Sequence, residues 1–318
     1  LLLLIAAAGG AITMWGISAM PTFALILPMA ALFALFASPV QPLLDSINFK
    51  LLEKARAAYG RQRMWGTLGF VVTSFSFGFV LQSLGLQWIF IGFTIMMILF
   101  SLALLRLPAE KVKLNASIGS GLKIMLRQPS WLLFAVTVVL LWGASNSMDN
   151  YLSITLKGMG ANEGLIGMAW AFAALAEAPV MYFSAPLLRK FGATRIMIAG
   201  LSFYILRMLL YSIMPAAEWA LAIAVMHGLT FALFWISSVT IANELAPAHL
   251  KATCQGLLLA LLNLASMIGV PLSGMMYDNL GPSNMFRVLA GVCAVALVVF
   301  LIGSRRLGMR EQFAAEKM

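Results

Sequence analysis

Charge is what this chain has least of. Charged residues make up 10% of its 318 positions, against about a quarter in soluble domains. None stands between Leu1 and Leu44, and none between Met64 and Leu105. A domain that folds in water is excluded on that ground. Cys254 and Cys293 stand alone in apolar stretches, which argues against a disulfide framework and against a cysteine-built metal site. The two histidines, His227 and His249, do not form a metal pair. There is no Walker sequence, no pairing of nucleophile and base and no cofactor motif. An enzyme is therefore not expected, nor a metal, nor a cofactor, and ATP is not the energy source within this chain. No signal peptide is visible, and the chain starts inside an apolar run without an initiator Met. An amino-terminal part is expected to be missing.

What is present is hydrophobic length. Apolar residues make up 62% of the chain, and the two charge-free runs are each long enough for two helices of ~20 residues. A membrane barrel would alternate polar and apolar residues in strands of about ten. These runs are continuous, so an all-α membrane protein is expected, with the lipid bilayer as its solvent. Ten spans can be drawn: Leu1–Ile17, Thr22–Leu44, Met64–Leu81, Gln87–Leu105, Trp131–Leu156, Leu165–Leu188, Ala193–Ile213, Trp219–Ala242, Thr253–Met276 and Met285–Ser304.

The net charge of +10 does not point to nucleic acid, because the basic residues form no single patch and do not interleave with exposed aromatics. They gather in alternate connections instead. Eighteen of the twenty-one Lys and Arg residues lie in Lys50–Arg63, Arg106–Arg127, Arg189–Arg195, Lys251 and the tail from Arg305. By the positive-inside rule those segments are cytoplasmic. An inner (plasma) membrane location is expected, with the start of the chain and its carboxyl end both on the cytoplasmic side. The longest connection marks the expected domain boundary. It gives a partial amino-terminal half over 1–107, a linker over 108–130, a six-helix half over 131–304 and a tail over 305–318.

Polar residues at helical spacing inside such spans must face protein or water. The second span carries Ser38, Gln41 and Asp45, and the third continues Arg63 with Thr67, Phe70 and Ser74. If the chain turns near Lys54, Asp45 and Arg63 each stand about nine residues away, at ~13 Å of rise, and face each other at one depth. Asn146, Asp149, Asn150 and Ser153 make the strongest stripe, in the fifth span. Glu177 lies in the sixth, Arg207 between Tyr204 and Tyr211 in the seventh, and His227 ahead of Thr230 and Phe234 in the eighth. Stripes on so many helices imply a shared polar cavity. Blander readings stand beside these. Asp45 and Arg63 also read as wet residues at loop ends, Asp149 as a solvated helix end, and Glu177 with Arg207 as a structural ion pair. A lone His227 equally suits a bond between neighbouring spans. Trp65, Trp88, Trp131 and Trp219 read as interfacial anchors, with Trp65 close enough to Arg63 to offer a stacking surface. Gly9, Gly10, Gly66 and Gly69 read as sites of close helix contact.

With these residues in view, the chain resembles the major facilitator superfamily, in the branch that contains the lactose permease and the phenylpropionate permeases. Gly60-Arg-Gln-Arg-Met-Trp-Gly66, with Asp45 upstream, is similar to that branch's carboxylate and arginine in its fourth and fifth helices. Ala176-Glu-Ala-Pro-Val-Met-Tyr-Phe-Ser-Ala-Pro-Leu-Leu188 resembles its eighth-helix glutamate region. Arg207 and His227 fall where it has a ninth-helix arginine and a tenth-helix histidine. The resemblance covers essentially the whole chain from the third helix, and implies a major facilitator fold with 10 transmembrane helices of an expected 12. Departures are informative. Thr230 stands where the lactose permease has a glutamate implied in proton coupling, Asn263 where it has a membrane lysine, and Phe70 where sugar carriers have a stacking tryptophan. Tyr59-Gly-Arg-x-Arg-x-Trp-Gly66 and Glu244–Gly256 look more like the phenylpropionate permease group.

The resemblance implies proton-coupled symport of a small-molecule substrate by alternating access, with an aromatic acid such as 3-phenylpropionate favoured. Oligosaccharide or nucleoside symport, efflux by antiport, and a membrane ligand sensor that transports nothing are the alternatives. Substrate binding is expected at Asp45, Arg63, Trp65, Phe70 and His227. Without a titratable residue at 230, the proton falls to Glu177 first and Asp149 second, with Arg207 the cation that opposes it. A guanidinium binds a carboxylate through a planar fork that an ammonium lacks. Arg63→Lys is therefore expected to damage substrate uptake far more than a retained charge would suggest, and near-normal uptake by that variant removes Arg63 from the site.

Overall fold

A peptide group in hydrocarbon has no water to bond, so a chain this apolar must satisfy its backbone within each segment. The computed structural model of the protein describes residues 2–40, 43–44, 47, 59–106, 127–246 and 250–306, and helix dominates them. In chain order they form α1 (Leu2–Ala19), α2 (Phe23–Ala37), α3 (Tyr59–Leu84), α4 (Trp88–Leu104), α5 (Pro129–Gly158), α6 (Glu163–Tyr182), α7 (Ser184–Phe191), α8 (Ala193–Ser212), α9 (Trp219–Ala224), a π-helical segment (Gly228–Ala232), α10 (Leu233–Leu245), α11 (Lys251–Leu280) and α12 (Pro282–Arg306). Among the described residues, eight stretches are long and apolar enough to cross a membrane. Phe23–Ala37 and Trp88–Leu104 are apolar but shorter.

Several boundaries differ from the hydropathy reading for identifiable reasons. The basic stretch that begins at Tyr59, expected as a turn, opens α3. Arg, Gln and Met are good helix formers, and hydropathy does not register a helix that continues beyond its apolar part. The span expected over Leu165–Leu188 breaks at Phe183 into α6 and α7. The cause is Pro186, whose ring would collide with the carbonyl four residues back, at Tyr182. Asn162 caps α6, its side-chain oxygen accepting from the Leu165 amide at 2.8 Å. The connection expected over Tyr277–Asn284 shrinks to Gly281, whose φ of +78° an L side chain resists, followed by Pro282 at the first position of α12.

The chain divides into two compact units, Leu1–Arg63 with Phe79–Leu114, and Met64–Gly78 with Asn115–Met318. In the first, α1 packs on α2 and α4. The Trp15 indole donates to Thr94 Oγ1 at 2.8 Å and lies 5.8 Å from the Phe90 ring. Gly9 lies under the Phe36 ring as a close contact requires, whereas among the described residues a Cβ added at Gly10, Gly66 or Gly69 would meet nothing within 4 Å.

In the second unit, α5, α8, α11 and α12 pack on one another. Their core is built from Phe134, Leu141 and Met148 of α5, Met197 and Leu201 of α8, and Phe286 of α12, all fully buried. Trp131, expected at the interface, is 2% exposed and packs on Phe134 with ring centroids 5.6 Å apart. It belongs to the core because α5 starts before it, at Pro129. Gly143 and Gly269 bring the backbones of α5 and α11 together. A Cβ added at Gly269 would lie 2.7 Å from the Gly143 carbonyl oxygen. Gly269→Val should thus lower stability by about 1–3 kcal/mol through overpacking. Gly291→Ala, in open space on α12, should be neutral or slightly stabilising. Thermal unfolding in detergent compares them, and equal effects would mean that the α5–α11 crossing is not tight.

Candidate functional site

The polar stripe of α5 survives in the folded helix. Trp142, Asn146, Asp149, Asn150 and Ser153 keep some accessible surface, while Gly143, Ala144, Ser145, Ser147, Met148 and Leu152 between them are buried. The bundle therefore buries these residues of α5 and leaves accessible a face that carries amides and a carboxylate, with Leu132, Val136 and Ile154 also exposed on the helix. Such a face cannot lie against lipid chains.

Behind it lies Arg207 of α8, only 1% exposed. A guanidinium has five donors and no acceptor, so burial on this scale needs acceptors from several elements. Nη1 bonds His227 Nδ1 at 3.0 Å and Thr230 Oγ1 at 3.2 Å, and Nη2 bonds the Tyr211 hydroxyl at 3.3 Å. The guanidinium carbon also lies 5.4 Å from the Tyr211 ring centroid, within cation–π range. Because Arg207 can only donate, His227 Nδ1 must accept, which puts the imidazole proton on Nε2. Nε of Arg207 is buried without a hydrogen-bond partner, as is Oδ1 of Asp149. The two residues interact electrostatically. Tyr204, one turn before Arg207, is fully buried and shares a 2.9 Å hydroxyl bond with Ser145 of α5.

The acceptors depend on the π-helical segment. His227 immediately precedes it and Thr230 lies within it, three residues on and both turned to Arg207. Short π turns in otherwise α-helical runs occur often at functional sites. Gly228 lets the segment press against α6, where a Cβ would run into the Ala176 carbonyl. Glu177, next in sequence, is half-buried on that helix.

The structure thus brings together Asp149, Arg207 and His227 of the residues expected from sequence. Trp65 and Phe70 lie on the part of α3 that belongs to the second unit and are 68% and 50% exposed. Asp45 lies outside the described residues, and so does the side chain of Arg63, although its backbone is in the first turns of α3. Sequence reasoning left Ser145, Tyr204, Tyr211 and Thr230 out of the site. The placing of Tyr204 and Tyr211 three residues before and four after a buried arginine was the available signal. Among the described residues, no three His, Cys, Asp or Glu side chains come together as a metal site would need.

Known proteins place this arrangement in context. The family model described as the MFS_1 like family matches residues 1–288. The chain is 25% identical over 233 residues to the uncharacterized transporter YwbF of Bacillus subtilis (strain 168), covering 73% of this chain and 58% of that protein. It is 23% identical over 298 residues to the maltose permease of Geobacillus stearothermophilus, covering 93% and 75%. It is 24% identical over 210 residues to the probable 3-phenylpropionic acid transporter of Escherichia coli (strain K12), covering 63% and 53%. The chain therefore spans little more than half of the first and third of these relatives. Its fold matches that of the nucleoside transporter NupG (D323A mutant) with a TM-score of 0.81 at 19% identity, over 95% of this chain and 82% of that one.

If Asp149 balances Arg207, removing the cation alone leaves a buried carboxylate uncompensated. Arg207→Met is expected to cost about 3–5 kcal/mol. Adding Asp149→Asn should return part of that loss in thermal unfolding of the purified protein, whereas strictly additive losses would show that the two charges do not act as a pair.

Proposed function

The chain belongs to the MFS_1 like family of membrane transporters, and from that premise we propose that it is a proton-coupled symporter of a small organic solute. The favoured substrate is an aromatic acid such as 3-phenylpropionate, in keeping with the Tyr59–Gly66 pattern and with one of the similar proteins. The protein works in the inner membrane with its basic connections on the cytoplasmic face. The two shorter apolar helices, α2 and α4, are counted as spans, which makes ten.

One observation carries the mechanism. The buried Arg207 makes its hydrogen bonds to neutral groups, while its Nε and Oδ1 of Asp149 are both buried without a hydrogen-bond partner. An opposite charge nearby favours the ionised carboxylate, and burial without that charge favours the protonated one. A movement of α5 against α8 that separates the two would therefore let Asp149 take a proton, and their return would expel it. This reading takes Asp149, the second choice on sequence, as the coupling residue and keeps Glu177, the first choice, as the alternative, with Thr230 a fixed acceptor. Arg63 takes the substrate's carboxylate through its fork, with Asp45 orienting it. His227 holds Arg207 through Nδ1 and keeps its Nε2 proton available to substrate.

The reading is tested with the intact parent protein in lightly buffered vesicles. Adding 3-phenylpropionate without an imposed gradient should make the external medium more alkaline, and Asp149→Asn should abolish uphill accumulation while sparing exchange. Acidification would indicate antiport instead. Flux without any pH change would reject proton coupling. Loss of accumulation in Glu177→Gln but not in Asp149→Asn would move the proton to α6.

A further inference from the structure

Four aromatic side chains, of which only His227 belongs to the charged cluster, form a continuous surface. His227, Phe231 and Trp235 recur every four residues along the π-helical segment and α10. Each stacks on the next, with centroids 5.1 Å and 5.8 Å apart and interplanar angles of 11° and 21°. From α5, Trp142 closes on them at 6.2 Å from Phe231 and 6.4 Å from Trp235. Trp142 is fixed from two directions. Its indole nitrogen donates to Ser266 Oγ of α11 at 3.0 Å, and its ring stacks at 5.6 Å on the fully buried Phe234. The rings are thus held in place without a ligand.

Core packing alone would bury this cluster, yet Trp142, Phe231 and Trp235 each keep accessible surface. Trp142 lies on the same open stripe of α5 as Asn146 and Asp149, one and two turns farther along. That stripe is too polar to face lipid, so the aromatic surface beside it faces the same aqueous space. Side by side are a preset planar apolar surface and a row of amides ending in a carboxylate.

We propose that Trp142, Phe231 and Trp235 form the ring-binding subsite of the substrate site, and that it takes a planar aromatic or heteroaromatic solute with polar groups at one edge. The ring lies against Phe231 and Trp235, and Asn146 contacts its polar edge. Flat rings suit this surface because offset stacking adds to the burial of their area. A saturated ring of the same size gains only the burial. The assignment rests on the transporter reading and moves ring recognition from Trp65 and Phe70 of α3 to α5 and the run from the π-helical segment into α10.

Equilibrium binding to the purified full-length protein in nanodiscs tests it apart from flux. The wild type is titrated calorimetrically with 3-phenylpropionate, 3-cyclohexylpropionate, uridine and maltose. The subsite requires that 3-phenylpropionate or uridine bind, and that 3-cyclohexylpropionate bind about three- to tenfold more weakly than 3-phenylpropionate if the latter is the ligand. Trp235→Leu should weaken the aromatic ligand by a similar factor, and Trp235→Phe by less. Maltose binding in the absence of both aromatic probes overturns the proposal. So does equal affinity for the flat and saturated rings, or unchanged affinity in a folded Trp235→Leu. Should Trp235→Leu not fold, Trp235→Phe and the wild-type probes still decide. Aromatic binding that behaves as expected but drives no flux in vesicles would leave the subsite standing and refute symport.

Discussion

A guanidinium that never loses its charge lies 1% exposed in the middle of a membrane bundle, and much of the second unit is arranged around that fact. The unscreened cost of moving such an ion into a medium of low dielectric is of order 20 kcal/mol, still several after relaxation. Hydrogen bonds to His227, Thr230 and Tyr211 satisfy most of its donors but bring no opposite charge. The carboxylate of Asp149, on another helix, is the charge proposed to balance it. Donor satisfaction and charge balance are thus supplied by different elements. A conformational change can undo the second while keeping the first.

That division explains why the local backbone departs from a plain α-helix. The span expected over Trp219–Ala242 does not run as one plain α-helix but passes through a π-helical segment, and His227 and Thr230 both reach Arg207. The Thr230 hydroxyl contributes its own proton to the Met226 or His227 carbonyl, at 3.1 Å each, and so has a lone pair for the arginine. His227 is similarly committed. A second proton on its ring would set N–H against N–H at 3.0 Å, so the imidazole is a poor resting place for a proton while Arg207 stays where it is. The carboxylate of Asp149 carries no such conflict.

The polar positions of this site were legible in the sequence because an amide, a carboxylate or an arginine within an apolar run is conspicuous, and its spacing reveals a face. Asp149, Arg207 and His227 were found in that way. Their pairing was not legible. Glu177 and Asp149 are each a single acid in a span, and spacing alone does not rank one above the other as the site of the proton. Aromatic residues misled for a related reason. Trp131 stands near the end of an apolar run, as an interfacial anchor would, yet the bundle buries it on Phe134. Gly66 and Gly69 read as sites of close helix contact, but a Cβ added at either would meet nothing within 4 Å among the described residues, whereas the contact between Gly143 and Gly269 joins helices far apart in the chain. Periodicity reports which residues share a face. It does not report what the face meets.

That Thr230 is not titratable has a consequence for how the proposed coupling would be built. With an acid at that position, the proton would sit on the same helical run as His227, among Arg207's direct hydrogen-bond partners. With Thr230 there, the acid that acts on Arg207 is on α5, on the stripe that also carries Trp142 and Asn146. Asp149 and Trp142 are seven residues apart, two turns and ~10 Å along one face. A molecule that spans this distance touches the helix whose displacement would change the charge balance at Arg207. In the proposed symport, substrate and proton would need no long path between them, because both would act on α5. The differential interaction that such coupling demands would arise from the position of one helix relative to one fixed cation.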